Sequence, residues 1–131
     1  MFHVEQFMDK NEQILKLQLR LEQLNKIDAC KNNFLNFVSV LWPEFIVGEH
    51  HETIAKKLEK IATGELKRLI INMPPRHTKS EFASYLFPAW MIGKNPAMKI
   101  IQATHTTELA IGFGRKVKNL IEREEYSEIF P

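Results

Sequence analysis

The chain has 131 residues, 44% hydrophobic and 26% charged, which is the composition of an ordinary globular domain and excludes a fibre or a disordered tail. No run approaches the roughly 18 apolar residues of a membrane span, and Met1-Phe2-His3-Val4-Glu5 lacks the basic-then-apolar layout of a secretory signal. A formal net charge of +2 does not by itself call for nucleic acid or membrane, and the single Cys30 excludes an internal disulfide and a multi-cysteine zinc cluster, which fits a reducing compartment.

From residue 10 to 30, Leu and Ile alternate with Lys, Glu and Gln, and Ile14, Leu17, Leu21 and Leu24 follow 3-4-3 spacing. That spacing predicts a helix with one apolar seam. Two heptads fall short of a sustained coiled coil, so the seam is expected to pack on its own domain or on a partner. Residues 33–42 (NFLNFVSVLW) predict a second helix, ended by Pro43. After a loop from Pro43 to Gly48, EHHETIAKKLEKIATGE puts Ile54, Leu58 and Ile61 on one helical face and Lys56, Lys57 and Lys60 off it. Gly64 is its stop.

Residues 68–73 (RLIINM), bounded by Pro74-Pro75, form a short apolar run that predicts a buried strand. Residues 80–92 (SEFASYLFPAWMI) predict a helix that Pro88 kinks or interrupts, and residues 98–103 (MKIIQA) a second strand. Thr104 or Thr106 is placed to cap a last helix whose Leu109, Phe113, Val117, Leu120 and Ile121 share a face. Strands alternating with helices predict an α/β fold, a parallel sheet with a right-handed crossover behind an N-terminal helical segment.

Between the first strand and its helix stands Met73-Pro74-Pro75-Arg76-His77-Thr78-Lys79-Ser80. Strand, tight loop, then Lys-Ser opening a helix is the layout of a phosphate-binding loop. There, backbone N–H groups and the helix N-terminus cradle phosphate oxygens, a lysine reaches the terminal phosphates and a hydroxyl ligates magnesium. The standard pattern G-x-x-x-x-G-K-[ST] would need glycine at Met73 and Thr78, and neither has it. Placement, not the pattern, carries the signal.

The run LIINMPPRHTKSE resembles the deviant Walker A segment of tailed-phage terminase large subunits, written PPR, two residues, then Lys-Ser. Upstream, GEHHETIAKKLEKIATGELKRL resembles that family's helix leading into the loop. Downstream, FPAWMIGKNPAMKIIQATHTTELAIGFGRKVKNLIEREEYSEIFP resembles its second strand, following helix and Phe-Pro segment, so the likeness covers roughly residues 37–131. The resemblance implies a P-loop NTPase-like fold and the ATPase motor that drives viral DNA into a preformed capsid. It implies ATP and Mg²⁺ as cofactors, bound by Pro75, Arg76, His77, Thr78, Lys79 and Ser80. Lys79 would contact the β- and γ-phosphates, Arg76 would sense or stabilise the transferring phosphoryl group, and Ser80 would hold the metal. Backbone N–H groups from His77 through Lys79 would line the phosphates. Double-stranded viral DNA, a terminase small subunit and a portal protein are the implied partners. The implied setting is the cytoplasm of an infected bacterial host, transiently at the procapsid portal. Residues 1–43 would be the helical segment and 44–131 the first part of the ATPase domain. Thr78 stands where many relatives carry glycine; a β-branched residue resists φ > 0, so the loop must change its geometry or accept strain.

Plainer readings stand beside these. Arg76 can pair with Glu81 at the surface. His50 and His51 sit where the family begins the helix near the adenine, yet paired histidines before a helix are usually polar loop. Trp42 and Trp90 can stack a base, but their apolar neighbours favour the core. Arg115, Lys116, Lys118 and Arg123 can track DNA phosphates, but Glu122, Glu124 and Glu125 interleave with them and favour a solvated mixed-charge face.

Hydrolysis of this type needs a Walker B carboxylate at a strand end, and the only aspartates are Asp9 and Asp28. The family's nuclease half is absent too, so the chain reads as the N-terminal part of a terminase, a truncated product or one piece of a split one. Alone, it is expected to bind nucleotide weakly and hydrolyse little unless Glu81 or Glu108 completes the site. Two parallel strands without further neighbours are expected to leave open edges and a labile C-terminal half. Two alternatives remain: a fragment of another P-loop ATPase such as a helicase, and a non-catalytic helical module docking to a packaging partner.

Overall fold

The computed structural model describes residues 9–131; the opening Met1 to Glu5 lie outside the described residues. Among the described residues stand α1 (Lys10–Asn32), α2 (Phe34–Leu41), α3 (Glu49–Ala62), a π-helix (Glu81–Leu86), α4 (Phe87–Lys94), α5 (Thr107–Ile121) and α6 (Glu124–Ile129). None is long and apolar enough to cross a membrane.

Local chemistry sets most of the helix ends. The Asp9 carboxylate accepts from the Asn11 N–H, Asn33 Oδ1 from the Asn36 N–H, and Thr106 Oγ1 from the Leu109 N–H. Thr106, one of the two threonines expected to cap, is therefore the cap. Gly64 ends α3 at φ +79°, a conformation that costs glycine little. Pro88 does not break its helix. The backbone widens into a π-turn ahead of it, with the Phe87 N–H donating to Phe82 C=O. Pro88 has no N–H to offer Ser84 C=O, and the Gln102 side-chain amide donates to that carbonyl instead, at 2.9 Å.

The core is aromatic. Phe34, Phe37, Phe82 and Trp90 are fully buried. The Phe34 ring lies edge-on to Phe82 at 5.5 Å and to Phe87 at 5.6 Å, and tilted on Trp90 at 5.5 Å. Its polar groups are matched one by one: Trp90 Nε1–H donates to Cys30 C=O at 2.9 Å and the Tyr126 hydroxyl to Ala89 C=O at 2.7 Å. The Arg123 guanidinium donates to Leu41 C=O at 2.9 Å, and the Glu59 carboxylate accepts the Phe34 N–H at 2.8 Å. Among the described residues no buried side-chain polar atom lacks a partner. Gly93 lets the Phe130 ring lie against the α4 backbone, where a Cβ would collide with it. One core therefore draws on residues before and after Pro43.

The α/β expectation is overturned. Among the described residues there is no strand, so the two-stranded parallel sheet of a P-loop NTPase-like fold does not form. Residues 68–73 and 98–103 join neither a helix nor a ladder. In the first, side chains still divide by face, Leu69 and Ile71 packing on the core while Ile70 is 85% exposed; in the second, Ile100 and Ile101 are both exposed, at 40% and 95%. The physical reason is that an apolar run specifies which side chains are buried, whereas a strand requires a neighbour to take its N–H and C=O groups. Here helices meet the inward side chains, and no second segment is paired with the backbone.

Candidate functional site

The stretch from Pro74 to Ser80 connects residues 68–73 to the helix that opens at Lys79. Arg76 has φ +66° and Thr78 φ +59°, and these are the only non-glycine residues with positive φ among those described. The sign of φ thus alternates from Pro75 to Lys79. Alternation of this sign is the φ pattern of a nest, in which successive N–H groups turn toward a common side as a concave anion cradle. The strain anticipated for Thr78 is present: it keeps the left-handed geometry that glycine would adopt freely, at a cost of roughly 1–3 kcal/mol.

A single histidine holds that strained residue. His51, 6% exposed, lies in the first turn of α3. Its Nδ1 accepts the Gly48 N–H at 2.8 Å, and its Nε2 lies 2.6 Å from Thr78 Oγ1. A backbone N–H can only donate, so Nδ1 carries no proton and Nε2–H donates to the threonine. The Thr78 hydroxyl then donates to His77 C=O at 2.6 Å, and Thr78 C=O accepts the Phe82 N–H at 3.0 Å to start the helix. The imidazole is stacked on Phe82 and edge-on to Phe45. Burial first, then the neighbouring His50 and His77, hold its pKa below the usual histidine value. His51 is neutral, with one tautomer set by its partners.

The expected phosphate ligands surround this anchor. Pro75, Arg76 and His77 are exposed, while Thr78, Lys79 and Ser80 are half-buried. The His77 ring Nδ1 lies 3.0 Å from Pro75 C=O. Among the described residues the side chains of Arg76, Lys79 and Ser80 make no hydrogen bond or ion pair, so the surface pairing of Arg76 with Glu81 is not formed. The N–H groups of His77, Thr78 and Lys79 likewise meet no backbone acceptor. Beside the loop, α3 and residues 69–73 flank an open groove of about 640 Å³ lined by His50, Ile54, Lys57, Leu69 and Met73 among others.

Of the other candidates, the two tryptophans are taken up by packing, while Arg115, Lys116 and Lys118 lie on an exposed mixed-charge face. Trp90 is in the core, and Trp42 is half-buried with its ring 5.1 Å from Phe45. Arg123 is spent on Leu41 C=O, Lys118 lies 3.8 Å from Glu122, and the Lys116 ammonium sits over Tyr85 and Phe113. No group of three or more His, Cys, Asp or Glu able to hold a metal occurs among the described residues. The residue that the sequence undervalued is His51. Its one visible signal is the spacing Gly48 to His51, which puts an acceptor at the third helical position, where a capping-box Glu or Gln ordinarily stands. Comparison of the chain with protein-family models, with curated proteins and with solved structures returned no match.

Proposed function

We propose that the chain binds the polyphosphate of Mg-ATP at the loop Pro75–Ser80, as the nucleotide-binding part of a viral DNA-packaging motor of the terminase large-subunit kind. The observation that carries this reading is the alternating-φ nest at Arg76 and Thr78, strained in two non-glycine residues and braced by His51. A loop held that way with its N–H groups unspent suits a multiply charged anion. Lys79 supplies the cation for the terminal phosphates, Arg76 a second one, and Ser80 one oxygen ligand for Mg²⁺, whose remaining ligands come from phosphate and water. When bound, Mg-ATP brings the reactive phosphoryl group; the chain's own residues bind and orient it. The groove beside His50 is of a size to take the base and sugar. The partners belonging to this reading are double-stranded viral DNA, a small subunit and a portal. Its setting is the infected bacterial cytoplasm.

Calorimetric titration of the full chain with Mg-ATP tests it. A charge-assisted contact is worth roughly 1.5–3 kcal/mol, so Lys79→Ala is expected to weaken binding about 10- to 100-fold. Equal affinities for wild type and variant, or no heat with either, would overturn the reading.

A further inference from the structure

Helix α1 runs for 23 residues and buries only Cys30. Its seam is uncovered: Ile14 is 52%, Leu17 70%, Leu21 58% and Leu24 47% exposed. A regular apolar seam left exposed along a helix of this length calls for an occupant. The occupant can be read from the seam itself. Set antiparallel across a two-fold axis level with Leu19, the helix is self-complementary: Ile14 falls opposite Leu24 of the second copy, and Leu17 opposite its Leu21. The same register continues outward by one layer at each end. There Lys10 falls opposite Asp28 of the second copy, and Asp28 opposite its Lys10. Both are exposed, and neither side chain is in an ion pair among the described residues.

A parallel pairing gives the opposite result, setting Lys10 on Lys10 and Asp28 on Asp28. Like charges in adjoining layers then oppose association. The antiparallel register has one like-charged meeting, Arg20 with its symmetry mate, and that lies at the rim, where long stems can splay into water. Two such helices bury on the order of 1,000 Å², close to where specific interfaces begin.

We infer that α1 is a homodimerisation helix, pairing antiparallel with α1 of a second copy and closed at both ends by Lys10–Asp28 ion pairs. Sedimentation equilibrium of the full chain tests this, with circular dichroism as the check on folding. Wild type is expected to dimerise. Leu17→Lys, which places two charges in the seam, is expected to weaken the dimer about 100-fold or more. Lys10→Asp alone sets aspartate against Asp28 at both ends and is expected to weaken it about tenfold, and Lys10→Asp with Asp28→Lys to restore it. A parallel dimer would respond little to either exchange. A monomeric wild type, a dimer indifferent to Leu17→Lys, or a double exchange no better than the single one would each overturn the inference.

Discussion

Helices α1 and α2 follow one another with a single residue between them, yet they are held by different forces. α1 spans Lys10–Asn32, rich in Leu, Lys, Gln and Glu, and has one buried residue. α2 has eight residues, Phe34–Leu41, and buries Phe34, Phe37, Val38 and Leu41. By propensity and length α1 is the better helix; α2 contains Asn36, Val38 and Val40 and is far too short to stand alone in water. What fixes α2 is the aromatic core on it and the Glu59 carboxylate on its first N–H. Apolar spacing therefore reports which face is sticky. It does not report whether anything covers that face.

The sharpest test of this contrast is a pair of truncations. Phe37→Ala opens a cavity in a fully buried site and is expected to cost about 3–5 kcal/mol in chemical denaturation. Leu19→Ala, on an exposed face of α1 outside the seam, is expected to stay within about 0.5 kcal/mol. Similar losses would erase the distinction between the two helices.

The loop at Thr78 extends the comparison, because it too is fixed by a neighbour distant in sequence. His51→Gln keeps an acceptor for the Gly48 N–H but loses the stacked imidazole and the bond to Thr78, at an expected cost of about 2 kcal/mol. Protonating His51 would place a hydrogen on Nδ1, facing the Gly48 N–H. Its folded pKa is lowered from 6.5, so its contribution is fully present above pH 6.5 and is lost as pH falls from there through the folded value. Melting temperatures measured from pH 8 downward are expected to fall below pH 6.5 in the wild type, and less steeply in His51→Gln. Parallel curves would mean that the histidine does not brace the loop.

The smallest effect is expected at Arg76, whose side chain is exposed. Arg76→Gly removes the left-handed strain at φ +66° while adding freedom to the unfolded chain, for a net gain of up to about 1 kcal/mol. The same variant is expected to bind Mg-ATP more weakly. A loss of stability instead would show that the arginine side chain supports the loop.

Much of the helical framework was legible beforehand because its determinants are local. Thr106 and Gly64 mark ends through contacts within a few residues, and Phe34 and Trp90 lie in segments dense enough in apolar groups to demand burial. The loop residues Arg76, Lys79 and Ser80 were also legible as one group, since they adjoin in the chain. The role of His51 was not, because its bond to Thr78 joins positions 27 residues apart. Nor was the fate of RLIINM and MKIIQA.

The sequence by itself determined the helical segments before α6, the Thr106 cap and the Gly64 stop, the apolar faces and the adjacency of Arg76, Lys79 and Ser80 after Pro75. Each follows from the chemistry of neighbours along the chain. Only the tertiary structure decided that Leu69 and Ile71 lean on helices without a sheet, that Thr78 stays left-handed under the hold of His51, and that the α1 seam is left bare. A strand needs a partner for its backbone, a strained residue needs a brace and a seam needs a cover. Each of these comes from a part of the molecule that local sequence cannot specify.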